Sequence, residues 1–140
     1  MGSDGKSVTS LEDQKIGIRT KLAALWTGHF LLWTFGDMVS LLQEETEPVS
    51  DDLLLFVAAP LAIIQASMIL FSLIGRPVAI RLASIGLGAV YTVFNLGYIS
   101  EAQAGWEYLL GIGYVVVSAL IIWHAWKWPE EKDIPKTQVP

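Results

Sequence analysis

One carboxyl group in this chain stands where a carboxyl group is costly. Asp37 lies within the apolar stretch from Leu22 to Leu42. If that stretch crosses a membrane, an acid costs roughly 2.5–3.5 kcal/mol at its centre and less near its end. Such a side chain is expected to face protein rather than lipid and to find a hydrogen-bond partner. Three kinds of chemistry follow: a proton or cation site, the polar end of a ligand pocket, or an interhelical clasp. The partners come from depth matching. Asn95 lies about as far inside the outer end of its own apolar stretch as Asp37 does, some 6–8 Å at the helical rise, with Tyr98 one turn beyond. His29 and Gln65 match one another nearer the middle. Tyr91 falls on the same helical face as Asn95. Asp37, Asn95, His29, Gln65, Tyr91 and Tyr98 therefore form the candidate intramembrane polar site, in two layers: Asp37 with Asn95 and Tyr98, and His29 with Gln65. Asp37 is expected to point into the bundle and approach Asn95.

These residues need helices to hold them. Four apolar stretches, about 22–42, 53–74, 78–99 and 108–126, are each long enough to cross the hydrocarbon core as a helix of about 30 Å. Only a helix satisfies its own backbone at that depth. The fold class expected is all-α: a polytopic membrane protein with a four-transmembrane-helix antiparallel bundle, residues 22–128. Segments 1–21 and 129–140 flank it, their tails polar and flexible. Ser50 or Asp51 can cap the second span, Gly75 can end it, and Pro77 suits the first turn of the third. The short link Gly75-Arg76-Pro77 makes spans two and three an antiparallel hairpin.

Spacing assigns the inward faces. In the first span Trp26, Phe30, Trp33 and Asp37 make one stripe, continued by Ser40, with His29 on its flank. In the others the stripes are Ala58-Ala62-Gln65-Ser72, Ser84-Gly88-Tyr91-Asn95-Tyr98 and Gly111-Tyr114-Ser118-Ala125. Ala62, Gly88 and Gly111 are expected against other helices, and Leu70, Leu87 and Ile112 against lipid.

Charge gives orientation. All nine Lys and Arg fall in three segments: Lys6, Lys15, Arg19 and Lys21; Arg76 and Arg81; Lys127, Lys132 and Lys136. The two segments between them hold only acids: Glu44, Glu45, Glu47, Asp51 and Asp52, then Glu101 and Glu107. Basic segments stay cytoplasmic during insertion, so both termini are expected inside and the protein in the cell membrane as a multi-pass chain. The mean hydropathy of +0.49 agrees with a membrane chain, and the net charge of −5 argues against nucleic acid as a partner. With no cysteine, thiol redox chemistry and Cys-based metal sites are excluded. Trp26, Trp106, Tyr108, Trp123, Trp126 and Trp128 mark the interfaces. His29 and His124 differ in depth and face, so a bis-histidine haem is not expected. No cofactor or metal is expected. The two halves show no repeat of the inverted-transporter kind.

Leu25-Trp26 opens the first span, and Asp37 follows within Gly36-Asp37-Met38-Val39-Ser40-Leu41-Leu42. The fourth span ends in Trp123-His124-Ala125-Trp126-Lys127-Trp128-Pro129. These motifs resemble those of an uncharacterised, mainly bacterial family of small four-helix integral membrane proteins, a domain of unknown function. The run Ser67-Met68-Ile69-Leu70, with Arg76 and Arg81 near the connection, is similar too. Family members often carry Asn-Tyr where this chain has Leu32-Trp33, and Tyr in place of His124. The resemblance implies the fold and membrane location, with no activity or ligand. A looser similarity to DoxX-like proteins is architectural only.

No Ser-His-Asp set, zinc-type cluster or phosphate loop is visible, so the chain reads as a non-enzyme. The function expected is binding of a partner or small hydrophobic ligand within the bundle. The alternative is a small proton-coupled transporter with Asp37 as the titrating group. Beyond the lipid bilayer, the partner expected is a second copy of the chain or another membrane protein.

Overall fold

A computed structural model describes residues 16–43 and 50–128. What the sequence suggests for the tails, for Glu44, Glu45 and Glu47, and for Pro129 lies outside them. The described residues are helical throughout their length, save for short links. Four helices result: α1, Ile18–Leu42; α2, Asp51–Ile74; α3, Pro77–Glu101; and α4, Gly105–Trp126.

Local chemistry sets the ends. Ser50 Oγ accepts from the Leu53 N–H at 3.3 Å, and Asp51 and Asp52 fill the first turn of α2, where the helix dipole favours acids. Pro77 opens α3, where its missing N–H costs nothing. Glu107 reaches back from the third residue of α4 to accept from the Gln103 N–H at 2.8 Å. At the other end of the bundle, arginines serve carbonyls that no helical N–H reaches. Arg19 donates to Gly75 O at 2.7 Å, and Arg81 to Trp126 O at 3.2 Å.

Helices α2, α3 and α4 are long and apolar enough to cross a membrane. Their outward faces carry Leu70, Val93 and Leu109, which suit contact with lipid. Helix α1 has the same 25 residues as α3 but carries Arg19, Lys21, Asp37 and three threonines, and does not reach that hydropathy. Two of its threonines, Thr27 and Thr34, turn their hydroxyls back onto carbonyls four residues earlier, at 2.8 Å each. Among the described residues every Lys and Arg stands towards one end of the bundle and every Asp and Glu towards the other.

Glycines set the close approaches. A Cβ at Gly88 would meet Ile122 Cγ1 at 2.7 Å, and one at Gly111 would overlap Ile99, so α3 and α4 lie close together. A Cβ at Gly36 would overlap the Tyr114 hydroxyl, which donates to Leu32 O at 3.1 Å and joins α4 to α1. Helix α1 packs between α2 and α4, and its tryptophans reach across the bundle to α3. The core gathers Leu22, Trp26, Met68, Ile80, Tyr91 and Ile121.

Three sequence expectations need correction. First, α1 is rotated: its buried line is Leu22, Trp26, His29 and Gly36, so His29 is central while Phe30 and Asp37 lie on the flank. The Gly36–Tyr114 contact goes with this rotation, because a Cβ at position 36 would overlap the Tyr114 hydroxyl. Second, α2 and α3 are joined as the expected antiparallel hairpin, but they splay apart beyond the link, so the small-residue face of α2 does not pack on α3. Ala58 and Ala62 are consequently exposed in the seam, whereas Gln65 and Ser72 further along α2 are buried. Third, α2 is not uniform. Pro60 offers no N–H to the Phe56 carbonyl, and its ring would press against it. The helix answers with a wider π turn over Leu54–Ala58, in which the Ala59 N–H bonds Leu54 O. Of the other faces, Gly88 and Gly111 are buried, Leu70 and Ile112 are exposed, and Leu87 is half-buried against the core.

Candidate functional site

His29 is the centre from which the polar site can be built. Its side chain is fully buried, ringed by Trp26, Trp33 and Tyr91, the nearest centroid being that of Tyr91 at 5.2 Å. Both ring nitrogens have side-chain amide partners: Nδ1 lies 2.7 Å from Gln65 Oε1, and Nε2 lies 3.2 Å from Asn95 Nδ2.

The tautomer follows from one indole. Trp33 Nε1 can only donate, so the Asn95 atom it meets at 3.0 Å is the carbonyl oxygen. That orientation turns the Asn95 amide NH2 towards His29 Nε2, which must therefore accept. The imidazole proton is then on Nδ1, where Gln65 Oε1 receives it. The ring is neutral and locked in orientation, because a second proton on Nε2 would set N–H against N–H.

Asn95 has more acceptors than hydrogens. Besides His29, its Nδ2 faces Tyr114 O at 3.2 Å and Ser118 Oγ at 3.3 Å. It thus ties α1, α3 and α4 together, and Gln65 adds α2 through His29. Tyr91 closes the seam below: its hydroxyl donates to Leu61 O at 2.6 Å. Trp26 Nε1 reaches Ser84 Oγ at 3.4 Å, one layer deeper.

The sequence pairs Asp37 with Asn95, and here the outcome differs. Among the described residues no hydrogen bond joins the two. Asn95 belongs to the His29 layer, since α1 presents His29 and Trp33 to it. Asp37 is exposed on the helix flank. The two residues instead border a common cavity of about 460 Å³ between α1, α3 and α4, at the acidic end of the bundle. Trp33 and Asn95 form its polar floor; Val93 and Phe94 form an apolar wall; Asp37 and Glu101 stand at its rim. Tyr98 also lines it, and its buried hydroxyl has no hydrogen-bond partner among the described residues. The Tyr98 ring lies 5.3 Å from that of Tyr114, a further lining residue.

A second cavity of about 270 Å³ opens in the splayed seam, between α1, α2 and α3. It shares Trp33, Asp37 and Phe94 with the first and is bordered by Gln65 and by the π turn of α2. The two amides that hold His29 thus each border one of these two adjoining cavities. Among the described residues no three His, Asp or Glu side chains converge as metal ligands. His124 lies apart from all of this, its Nδ1 donating to Leu120 O at 2.8 Å near the basic end.

The chain matches no family model, no curated protein and no solved structure.

The residues that sequence reasoning left out of the site are Trp33, Tyr114, Ser118 and Glu101. Tyr114 and Ser118 share a face of the fourth span, and Tyr114 lies near the depth of Asn95; that was the available signal. Glu101 carried none, being read only as a loop acid.

Proposed function

We propose that this chain is a four-span membrane protein, its basic end cytoplasmic and the acidic end outside, that binds a small hydrophobic ligand and performs no chemistry on it. The binding site is the two-chamber cleft between α1 and α3. One observation carries the reading: the cavity of about 460 Å³, which is of ligand-pocket size and is lined mainly by apolar and aromatic groups around a few polar ones. The buried, unbonded Tyr98 hydroxyl supports it, because such a group gains a hydrogen bond when a polar atom enters. The rigid His29–Asn95–Trp33 network supports it as well, as a floor that stays in place when the cleft fills.

Gly97 offers the test. It borders the cavity, and a Cβ built there has no atom within 4 Å, so a side chain would enter open space. Small hydrophobic compounds are to be titrated against the protein in lipid nanodiscs, with Trp fluorescence as readout. Saturable binding by the wild type, lost in Gly97→Phe at unchanged helicity, is the expected result. Binding that survives Gly97→Phe places the ligand elsewhere.

A second reading, proton-coupled transport through Asp37, draws on the position of that carboxylate on both chambers. Proteoliposome flux driven by a pH gradient and abolished by Asp37→Asn would favour transport over simple binding.

A further inference from the structure

The charge around the cleft has one sign. Among the described residues Asp37 and Glu101 border it, and no Lys or Arg does. Every described base lies towards the opposite end; Arg81, on the same helix as Glu101, is 20 residues away, or about 30 Å along the axis. Four aromatic rings line the same space: Trp33, Phe94, Tyr98 and Tyr114. Ring faces attract cations, most strongly where water is scarce. An unbonded phenol oxygen, that of Tyr98, is available to accept from an N–H. An anion would meet two carboxylates with no compensating base, and a purely apolar molecule would use neither the acids nor the phenol.

We infer that the ligand of this cleft is a small hydrophobic cation, a protonated or quaternary amine on an apolar body, held between the Asp37 and Glu101 carboxylates and the aromatic wall. The inference rests on the cleft being the binding site, as proposed above. The apolar body would lie along Val93 and Phe94, on the side where α2 and α3 stand apart.

Two isosteres separate charge from shape: biphenyl-4-yl-trimethylammonium and 4-tert-butylbiphenyl, titrated against the full chain in nanodiscs with empty nanodiscs as background. The cation is expected to bind about tenfold more tightly. Asp37→Asn and Glu101→Gln should each reduce that preference several-fold while leaving the neutral isostere's affinity unchanged. Gly97→Phe should abolish saturable binding of both. Val93→Trp, at a position already 70% exposed, is a second blocking variant should Gly97→Phe fail to fold. Equal binding of the isosteres, unaltered by Asp37→Asn and Glu101→Gln but lost in the blocking variants, overturns the cation assignment and leaves the cleft standing. Binding that neither blocking variant affects, or no saturable binding of the cation, overturns both.

Discussion

Asn95 and Asp37 are both polar residues in apolar helices, yet their energetic positions are opposite. Asn95 is buried and meets four partners on two other helices. Replacing it by Leu strands the Trp33 N–H and His29 Nε2 together, at a cost of about 2–3 kcal/mol. Asp37 is exposed and has no hydrogen bond among the described residues, so Asp37→Asn and Asp37→Leu should each move stability by less than about 0.5 kcal/mol. Denaturant unfolding in mixed micelles measures both. A stability loss for Asp37→Leu equal to that for Asn95→Leu would show that the carboxylate is a clasp after all. The His29–Gln65 pair was legible because both residues lie at one depth, Gln65 on an inward stripe and His29 on the flank of another. The Asp37–Asn95 pair was misjudged because depth alone cannot fix rotation, and a turn of one residue, about 100°, separates His29 from Phe30 on α1.

At the scale of elements, the decisive contacts are made by glycine. Gly88 meets Ile122, and Leu87 beside it is half-buried at the edge of the core. Gly88→Leu forces α3 away from α4 and should cost about 1–3 kcal/mol. Leu87→Phe should cost under about 1 kcal/mol, and thermal unfolding in detergent should order the two accordingly. Equal losses would mean that α3 is rotated from the orientation described. The helices themselves were readable from hydropathy and end chemistry: each observed helix encloses an expected apolar stretch. The splay of α2 from α3 was not readable. A two-residue link permits a packed hairpin as well as an open one. Across the gap, the Tyr91 hydroxyl of α3 reaches Leu61 O of α2 at 2.6 Å, a contact between elements that leaves no trace in local spacing. The π turn was readable in principle, since Pro60 stands in mid-helix, but its size depends on how the chain absorbs the lost hydrogen bond.

Across the whole molecule, the segregation of charge dominates. Arg19 and Arg81 are bound to carbonyls at helix ends, and Lys127 Nζ lies 3.9 Å from the centroid of the Trp123 ring. The basic end is thus a fastened layer. A reporter inserted in the 43–52 loop and one fused after Trp128 should lie on opposite sides of the membrane, the second cytoplasmic. Both on the same side would remove one of α2, α3 and α4 from the set of spans and with it the four-span topology.

The order in which the chain is made bears on α1. Its partners are remote in sequence: Trp26 meets Ser84 58 residues later, His29 meets Asn95 66 later, and the Leu32 carbonyl waits 82 residues for Tyr114. By contrast α3 and α4 bond across gaps of 19–26 residues. At roughly 5–20 residues per second of synthesis, the Leu32–Tyr114 gap is a delay of about 4–16 s. For most of that interval α1 has α2 beside it, through the His29–Gln65 pair 36 residues apart, and what it still lacks is α4. The side of α1 that faces α4, with Gly36 and the Leu32 carbonyl, is therefore the last part of the bundle to find its partner.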